Sequence, residues 1–237
     1  MIDNRIEKIA KLVDKKIVAE VGCDHAFITK KLFELNKIDF CFLSDISGKC
    51  LEKAKKNLDG FKDKTTFTVA DGLLGFLPQG QNLDKKDTNF VPEQAIIAGM
   101  GGKEIVKIIK QDNLKQIKYF VLQPQKNVDE VRLFLTKNYF CIKREVVAKQ
   151  GKMFYNILSV ERSDKIHRLS KSQIVVGKFL KKDMDNDFKD YIKFNIQKFG
   201  SILEKKEIKS VRDKLDLFKE KGDKQDVWKY FTISKIK

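Results

Sequence analysis

The chain has 237 residues, 42% hydrophobic and 35% charged, with a formal net charge of +16. That is enough for one large domain, or for a domain of about 150 residues and a smaller one. No stretch reaches the roughly 18 uninterrupted apolar residues of a membrane span, the charged N-terminus "MIDNRIEKIAKLVDKK" lacks the pattern of a signal peptide, and four cysteines without a CxxC pair, beside two histidines, disfavour a structural zinc site.

Residues 4–14 read as a helix with Ile6, Ile9, Leu12 and Val13 on one face. Residues 17–21 are a first strand, 27–35 a short helix, and 40–43 a second strand that ends in "SDIS". A helix follows over 48–58, with Leu51, Ala54 and Leu58 aligned, and then a third strand over 66–70 that leads into "DGLLGFLP". Residues 79–92 are polar and rich in Gly, Asp and Asn, the composition of a loop. A fourth strand at 95–98 ends in "GMGG", a helix covers 103–110, and a fifth strand at 119–123 gives way to "PQKN" and a helix over 128–137. Residues 140–149 and 154–161 read as strands flanking Gly151, an antiparallel hairpin at the sheet edge. Strands alternating with helices predict an α/β fold with a parallel, doubly wound sheet, whose ligands bind at the carboxyl ends of the strands where the order reverses.

The first strand raises the chemical question. Glu20 sits inside an apolar run, one residue before it ends at Val21 and opens into Gly22-Cys23-Asp24-His25. A carboxylate at a buried strand end needs a partner, either in the protein or in a ligand. Glu20 or Asp24, Asp45 and Asp71 follow strands one, two and three, and Asp45 lies 21 residues after Asp24, the spacing at which a second-strand acid reaches a ribose. One glycine in the first turn, rather than GxGxxG, disfavours a pyrophosphate. A nucleoside cofactor without phosphate, S-adenosylmethionine, suits an acidic, glycine-opened turn. The candidate cofactor residues are Glu20, Gly22, Cys23, Asp24, His25, Asp45, Ile46, Asp71, Gly72, Ala98 and Gly99. Solvated helix-capping acids are the bland alternative.

After residue 161 the pattern turns helical. Ile174, Val175, Phe179 and Leu180 share a face; Phe188, Tyr191, Ile192, Ile196, Phe199, Ile202 and Leu203 recur at three- and four-residue steps; Ile208, Val211, Leu215 and Phe218 continue the stripe on another helix. This predicts a helical hairpin with coiled-coil packing. Residues 1–160 hold 28 Lys+Arg and 20 Asp+Glu, a net of 28 − 20 = +8, and residues 161–237 hold 21 and 13, also 21 − 13 = +8. The charge density of the second segment is therefore about double, which points to a polyanion such as nucleic acid. Lysine-rich codon usage and a solvated outer face are the alternatives. Candidate RNA contacts are Lys189, Lys193 and Lys198 on the hairpin, and Lys103, Lys126 and Arg132 on the first segment.

The segments "VAEVGCDHAFIT", "SDIS", "ADGL", "IIAGMGG", "LQPQKNVDEVRLFL" and "GKMFYNIL", in this order over residues 17–158, resemble the bacterial tRNA (adenine-22-N1)-methyltransferases. The resemblance implies a Rossmann-like class I methyltransferase sheet with a C-terminal α-helical coiled-coil extension. It also implies methylation of an adenine N1 in the D arm of tRNA by S-adenosylmethionine. Domains are then expected at 1–160 (cofactor) and 161–237 (basic coiled coil), in a monomeric, cytoplasmic enzyme without metal. The chain departs from the family at Glu20 (usually Asp), Cys23 (usually Ser), Phe27 (usually Tyr) and Asn156 (usually Glu).

The Gly99-Met100-Gly101-Gly102 loop lacks the Asp/Asn-Pro-Pro-aromatic element of enzymes that methylate exocyclic amines. A ring nitrogen such as adenine N1 has an in-plane lone pair and needs no base before attack, so these four residues are the candidate base-positioning loop. A plain strand-to-helix turn is the alternative for Gly101 and Gly102. A methyltransferase acting on another RNA, a small molecule or a protein would leave the basic hairpin unexplained. A non-catalytic RNA-binding protein would leave the strand-end acids without a use.

Overall fold

The structure is a computed structural model describing residues 3–76, 92–111 and 117–223. The polar loop expected at 79–92 falls, except for residue 92, outside the described residues. Helix α1 (Asn4–Leu12) starts at Asp3, whose side chain accepts hydrogen bonds from the amides of Arg5 and Ile6. Then come β1 (Ile17–Val21), α2 (Phe27–Glu34), β2 (Phe40–Asp45), α3 (Gly48–Asn57), a 3-10 segment at Asp59–Lys64, β3 (Thr65–Val69), β4 (Gln94–Gly101), α4 (Gly102–Gln111), β5 (Tyr119–Lys126), α5 (Val128–Lys137), β6 (Phe140–Gln150) and β7 (Met153–Arg162). The C-terminal part adds α6 (Lys171–Val175), a 3-10 turn at Lys181–Asp183, α7 (Asn186–Lys205) and α8 (Lys209–Asp223). Among the described residues, no helix is long and apolar enough to cross a membrane.

The seven strands form one sheet in the order β3-β2-β1-β4-β5-β7-β6. β1 to β5 pair in parallel, while β7 runs antiparallel to β5 and to the edge strand β6. Alternate residues of each strand feed opposite faces. Val18, Cys41, Leu43, Ile96 and Val121 pack under α1, α2 and α3. Ala19, Phe42, Ala95, Ile97, Phe120 and Leu122 pack under α4 and α5. The strand order reverses between β1 and β4, which places a crevice at their carboxyl ends.

A third core ties the C-terminal segment to the sheet edge. Phe188, Tyr191 and Ile192 of α7 and Leu215 and Phe218 of α8 pack with Val147 of β6 and with Val176 and Phe179. The buried face of α7 is thus shared between α8 and the sheet, and is wider than the narrow seam of a two-stranded coil. The stripe expected through Ile174, Val175, Phe179 and Leu180 is helical only at Lys171–Val175; Phe179 is buried beyond it and Leu180 is exposed.

Arg132 requires a correction. It was expected to face RNA, but its side chain is 0% exposed. Its Nε and Nη2 both donate to Glu145 Oε1, Nη2 also to Asn156 Oδ1 at 3.1 Å, and Nη1 to the carbonyls of Ile174 and Val175. The amide of Lys178 donates to Glu145 Oε2 at 2.8 Å. Arg132 is a buried crosslink between α5, β6, β7 and α6. It also accounts for Asn156: one carboxylate already balances the guanidinium, and a second would be buried in excess.

Candidate active site

Two cavities open at the carboxyl ends of β1 and β4 and share Gly22, Ala98 and Gly99 in their walls. The larger, about 390 Å³, is lined by Asp45, Ile46, Asp71, Gly72 and Met100, with Ile108 on its α4 side. The smaller, about 250 Å³, is lined by Glu20, Cys23, Asp24, His25, Phe27, Arg5 and Gln125. The cofactor residues expected from sequence therefore all fall on these two walls. Arg5 and Gln125 were missed. Arg5 lies next to Ile6 at the start of the apolar face of α1, where a lone arginine gives little signal.

The turn after β1 is strained. Asp24 and Ala26 adopt φ of 43° and 54°, the left-handed region, without being glycine. Each such residue costs about 1–2 kcal/mol and persists only where its surroundings hold it. Asp45 Oδ2 accepts from the amide of Asp24 at 3.2 Å, and Asn57 Nδ2 donates to the carbonyl of His25 at 2.8 Å. Asp45 Oδ1 also accepts from the amide of Ser47 at 2.9 Å, so this carboxylate is fixed before any ligand arrives. The His25 ring stacks on Phe27 with centroids 5.3 Å apart and planes 5° apart, and Phe27 is 56% exposed at the cavity rim.

Glu20, 4% exposed, has its partner inside the protein. Its Oε2 accepts from both the amide and the hydroxyl of Thr29. Burial pushes its pKa up from 4.5 to about 7; the two Thr29 hydrogen bonds and the charge of Arg5 pull the other way. Burial likewise raises the Cys23 thiol well above its ordinary value, with Glu20 and Asp45 adding to the effect, which disfavours the thiolate form in this buried side chain. Asp71 is exposed and pairs with Lys107 Nζ at 3.1 Å.

The Gly99–Gly102 segment is not a free loop. β4 runs through Gly101, with register irregularities against β5 at Ala98/Met100 and at Met100/Gly101, as bulges near active sites do. Gly99 has φ +79°, a conformation that favours glycine. Its amide donates to Gln123 Oε1 at 3.2 Å. Met100 lies against Gly22 and lines the larger cavity. Gly102 has another reason to be glycine: a Cβ there would stand 2.5 Å from the carbonyl oxygen of Asn127. That is close packing of α4 on the β5–α5 turn, so Gly102 is withdrawn from the base-positioning set. Among the described residues, no group of three or more His, Cys, Asp or Glu could hold a metal ion.

Of the lysines expected to meet RNA, Lys103 and Lys126 are exposed beside Gly101 and Gly102, and Lys189 and Lys198 are exposed on α7. Lys193 is half-buried.

Residues 18–225 match the family model described as tRNA (adenine(22)-N(1))-methyltransferase. A Mycoplasma genitalium protein carrying the provisional name of a tRNA methyltransferase is 35% identical over 73% of this chain and 76% of its own length. The Bacillus subtilis tRNA (adenine(22)-N(1))-methyltransferase is 23% identical over 92% of this chain and 96% of its own. A crystal structure from Streptococcus pneumoniae, provisionally described as a tRNA (m1A22) methyltransferase in complex with S-adenosyl-L-methionine, superimposes with a TM-score of 0.78 at 28% identity, covering 93% of this chain and 99% of that one. The family match spans the strand-end acids, the larger cavity, the smaller cavity apart from Arg5 and Ile6, and most of the helical hairpin, and the chain belongs to the tRNA (adenine(22)-N(1))-methyltransferase family.

Proposed function

We propose that this protein methylates N1 of the adenine at position 22 of tRNA, using S-adenosylmethionine. The observation that carries the reading is the pair of cavities meeting at Gly22, Ala98 and Gly99, one walled by Asp45 and Asp71 and the other by Glu20, Asp24 and Arg5. The residues present fit the cofactor. Asp45 and Asp71 supply acceptors for ribose hydroxyls and an adenine amino group, and Ile46 gives apolar surface for the purine. Arg5 supplies a cation for the carboxylate of the methionyl end, with Glu20 and Asp24 as anions for its ammonium. Bound there, the cofactor supplies an electrophilic methyl group.

The chain's own task is then placement. The target adenine leaves its stack to reach a recessed methyl group. The His25–Phe27 pair offers a flat aromatic surface at the rim for the extruded base. Gly99 and Met100 set how closely the ring approaches. The N1 lone pair lies in the ring plane, so no side chain has to remove a proton before attack, and the rate comes from alignment. Residues 1–160 hold cofactor and base. Residues 161–237, with Lys103 and Lys126 beside the site, grip the tRNA backbone. The enzyme works as a monomer in the cytoplasm, where its substrate is found.

Unmodified tRNA is incubated with enzyme and S-adenosylmethionine, digested at neutral pH, and its nucleosides are separated by mass spectrometry. The expected product is 1-methyladenosine. N6-methyladenosine as the only product refutes the ring-nitrogen reading. Neutral handling matters because alkali rearranges the first nucleoside into the second.

A further inference from the structure

We propose that Gln123 is a positioning residue that ties Arg5 to Gly99, and so aligns the cofactor cavity with the base-approach backbone. The inference rests on the reading above. Gln123 lies on β5 in register with Ala98 of β4 and is fully buried. Its Oε1 accepts from the amide of Gly99 at 3.2 Å and from Arg5 Nη1 at 3.2 Å. Both neighbours are donors, so only the amide oxygen can face them, and the orientation of the amide is fixed. Its Nε2 is then, among the described residues, the buried side-chain nitrogen or oxygen atom left without a hydrogen-bond partner.

A buried amide with half its capacity unmet is a poor core residue. Val121, two positions earlier on the same strand face, is apolar and packs in the core. Nothing in the packing asks for an amide at 123; an apolar side chain would leave no orphan donor. The oxygen is what the site uses. It joins two groups 94 residues apart in sequence that both line the smaller cavity: the Arg5 guanidinium on α1 and the positive-φ Gly99 of β4. Without the oxygen, the Gly99 amide loses its partner, and Arg5 keeps only weaker contacts, the carboxylate of Asp3 3.9 Å away and the Tyr155 ring with its centroid 5.6 Å away.

Two variants separate the oxygen from the bulk of the side chain. Gln123→Met keeps the volume and removes the acceptor. Gln123→Glu keeps acceptors for both donors and removes the orphan amide. In Gln123→Met the kcat on tRNA is expected to fall by roughly 10- to 100-fold, the scale on which small misplacements slow a reaction. The KM for tRNA should stay within about twofold, because phosphate contacts made elsewhere set it. Gln123→Glu should restore kcat to within about threefold of wild type. Calorimetric titration of S-adenosylmethionine provides a readout without catalysis: Gln123→Met weakens binding through Arg5, and Gln123→Glu does not. A folded Gln123→Met with wild-type kcat and cofactor affinity overturns the proposal. So does a folded Gln123→Glu as impaired as the Met variant, since the amide N–H would then be the working group. Should Gln123→Met fail to fold, Gln123→Glu with Arg5→Met decides. Loss of cofactor affinity in Arg5→Met with retention in Gln123→Glu supports the tie, and loss in both refutes it. If wild-type enzyme binds cofactor but leaves tRNA unmethylated, the functional reading fails, and the affinity measurements alone still decide Gln123.

Discussion

If Glu20 meets the cofactor's ammonium as proposed, cofactor binding should depend on pH across the neutral range. Its pKa is raised by burial to about 7. A ligand carrying ammonium and sulfonium charges prefers the ionised carboxylate. At pH 6 only about one tenth of a group with that pKa is ionised, so the apparent Kd should be about tenfold weaker than at high pH. Calorimetric titration of S-adenosylmethionine near pH 6 and near pH 7.5 measures it, and buffers of different ionisation enthalpy count the proton released below pH 7. Glu20→Gln should bind more weakly near pH 7.5 and lose most of the pH slope. If the variant keeps the wild-type slope, Glu20 is not the titrating group and its cofactor role fails. The same shift acts on stability. Between pH 4.5 and about 7 the folded protein holds the proton more tightly than the unfolded chain, so stability falls as pH rises through this window. At about 1.4 kcal/mol per unit of pKa, wild type should lose up to roughly 3 kcal/mol relative to Glu20→Gln by pH 8.

Asp45→Ala should weaken S-adenosylmethionine binding by about 1.5–3 kcal/mol, the range for a hydrogen bond to a charged group; an unchanged calorimetric affinity would remove Asp45 from the ribose site. Lys189→Glu with Lys198→Glu should lower tRNA affinity and flatten the plot of log K against log salt by about 0.9 per lost phosphate contact. Cofactor affinity should stay at its wild-type value, and a wild-type salt slope would mark this face of α7 as merely solvated. Arg132→Met should cost about 3–5 kcal/mol in urea unfolding, because Glu145 is left buried and unpaired, and adding Glu145→Leu should recover much of it. A single-variant loss below about 1 kcal/mol would show that Glu145 finds water or another partner.

The sequence carried the sheet well, for a physical reason. A strand buried on both faces, such as β1 or β4, is a short apolar run bounded by turn residues, and the run itself marks the strand. Predicted and observed bounds agree at Ile17–Val21 and at Val128–Lys137 and differ by a few residues elsewhere. The acids after the strands were legible because a strand end is a position, and position alone brings Asp45 and Asp71 to one cavity. What stayed hidden depends on which way a side chain turns after folding. Arg132 looked like any exposed helical arginine; its carboxylate, Glu145, lies on a strand that periodicity cannot bring next to it. Gly102 looked like a door for the base, and Asn127, on a separate turn, is what requires it. Gln123 showed only as part of "LQP", with no hint that its oxygen would meet α1 and β4 together.

Helix α1 links the smaller cavity to the basic hairpin through two of its faces. One face carries Arg5 to the smaller cavity and to Gln123. Another carries Lys8, buried, whose ammonium donates to the carbonyl of Val147 and lies 2.6 Å from Asp185 and 2.7 Å from Asp187 at the start of α7. Asn4 adds a hydrogen bond to Asp187 at 2.8 Å. Cutting the chain near residue 161 would therefore do more than remove the arm proposed to grip RNA. It would leave Lys8 buried without its anions, take from Arg132 the carbonyls of Ile174 and Val175, and expose the apolar face around Val147 and Phe154. Loss of activity in such a truncation would follow from lost folding as readily as from lost tRNA contact. Charge reversals on the outer face of α7 leave Lys8, Arg132 and the shared core in place. They are the perturbation that distinguishes an RNA grip from a structural brace.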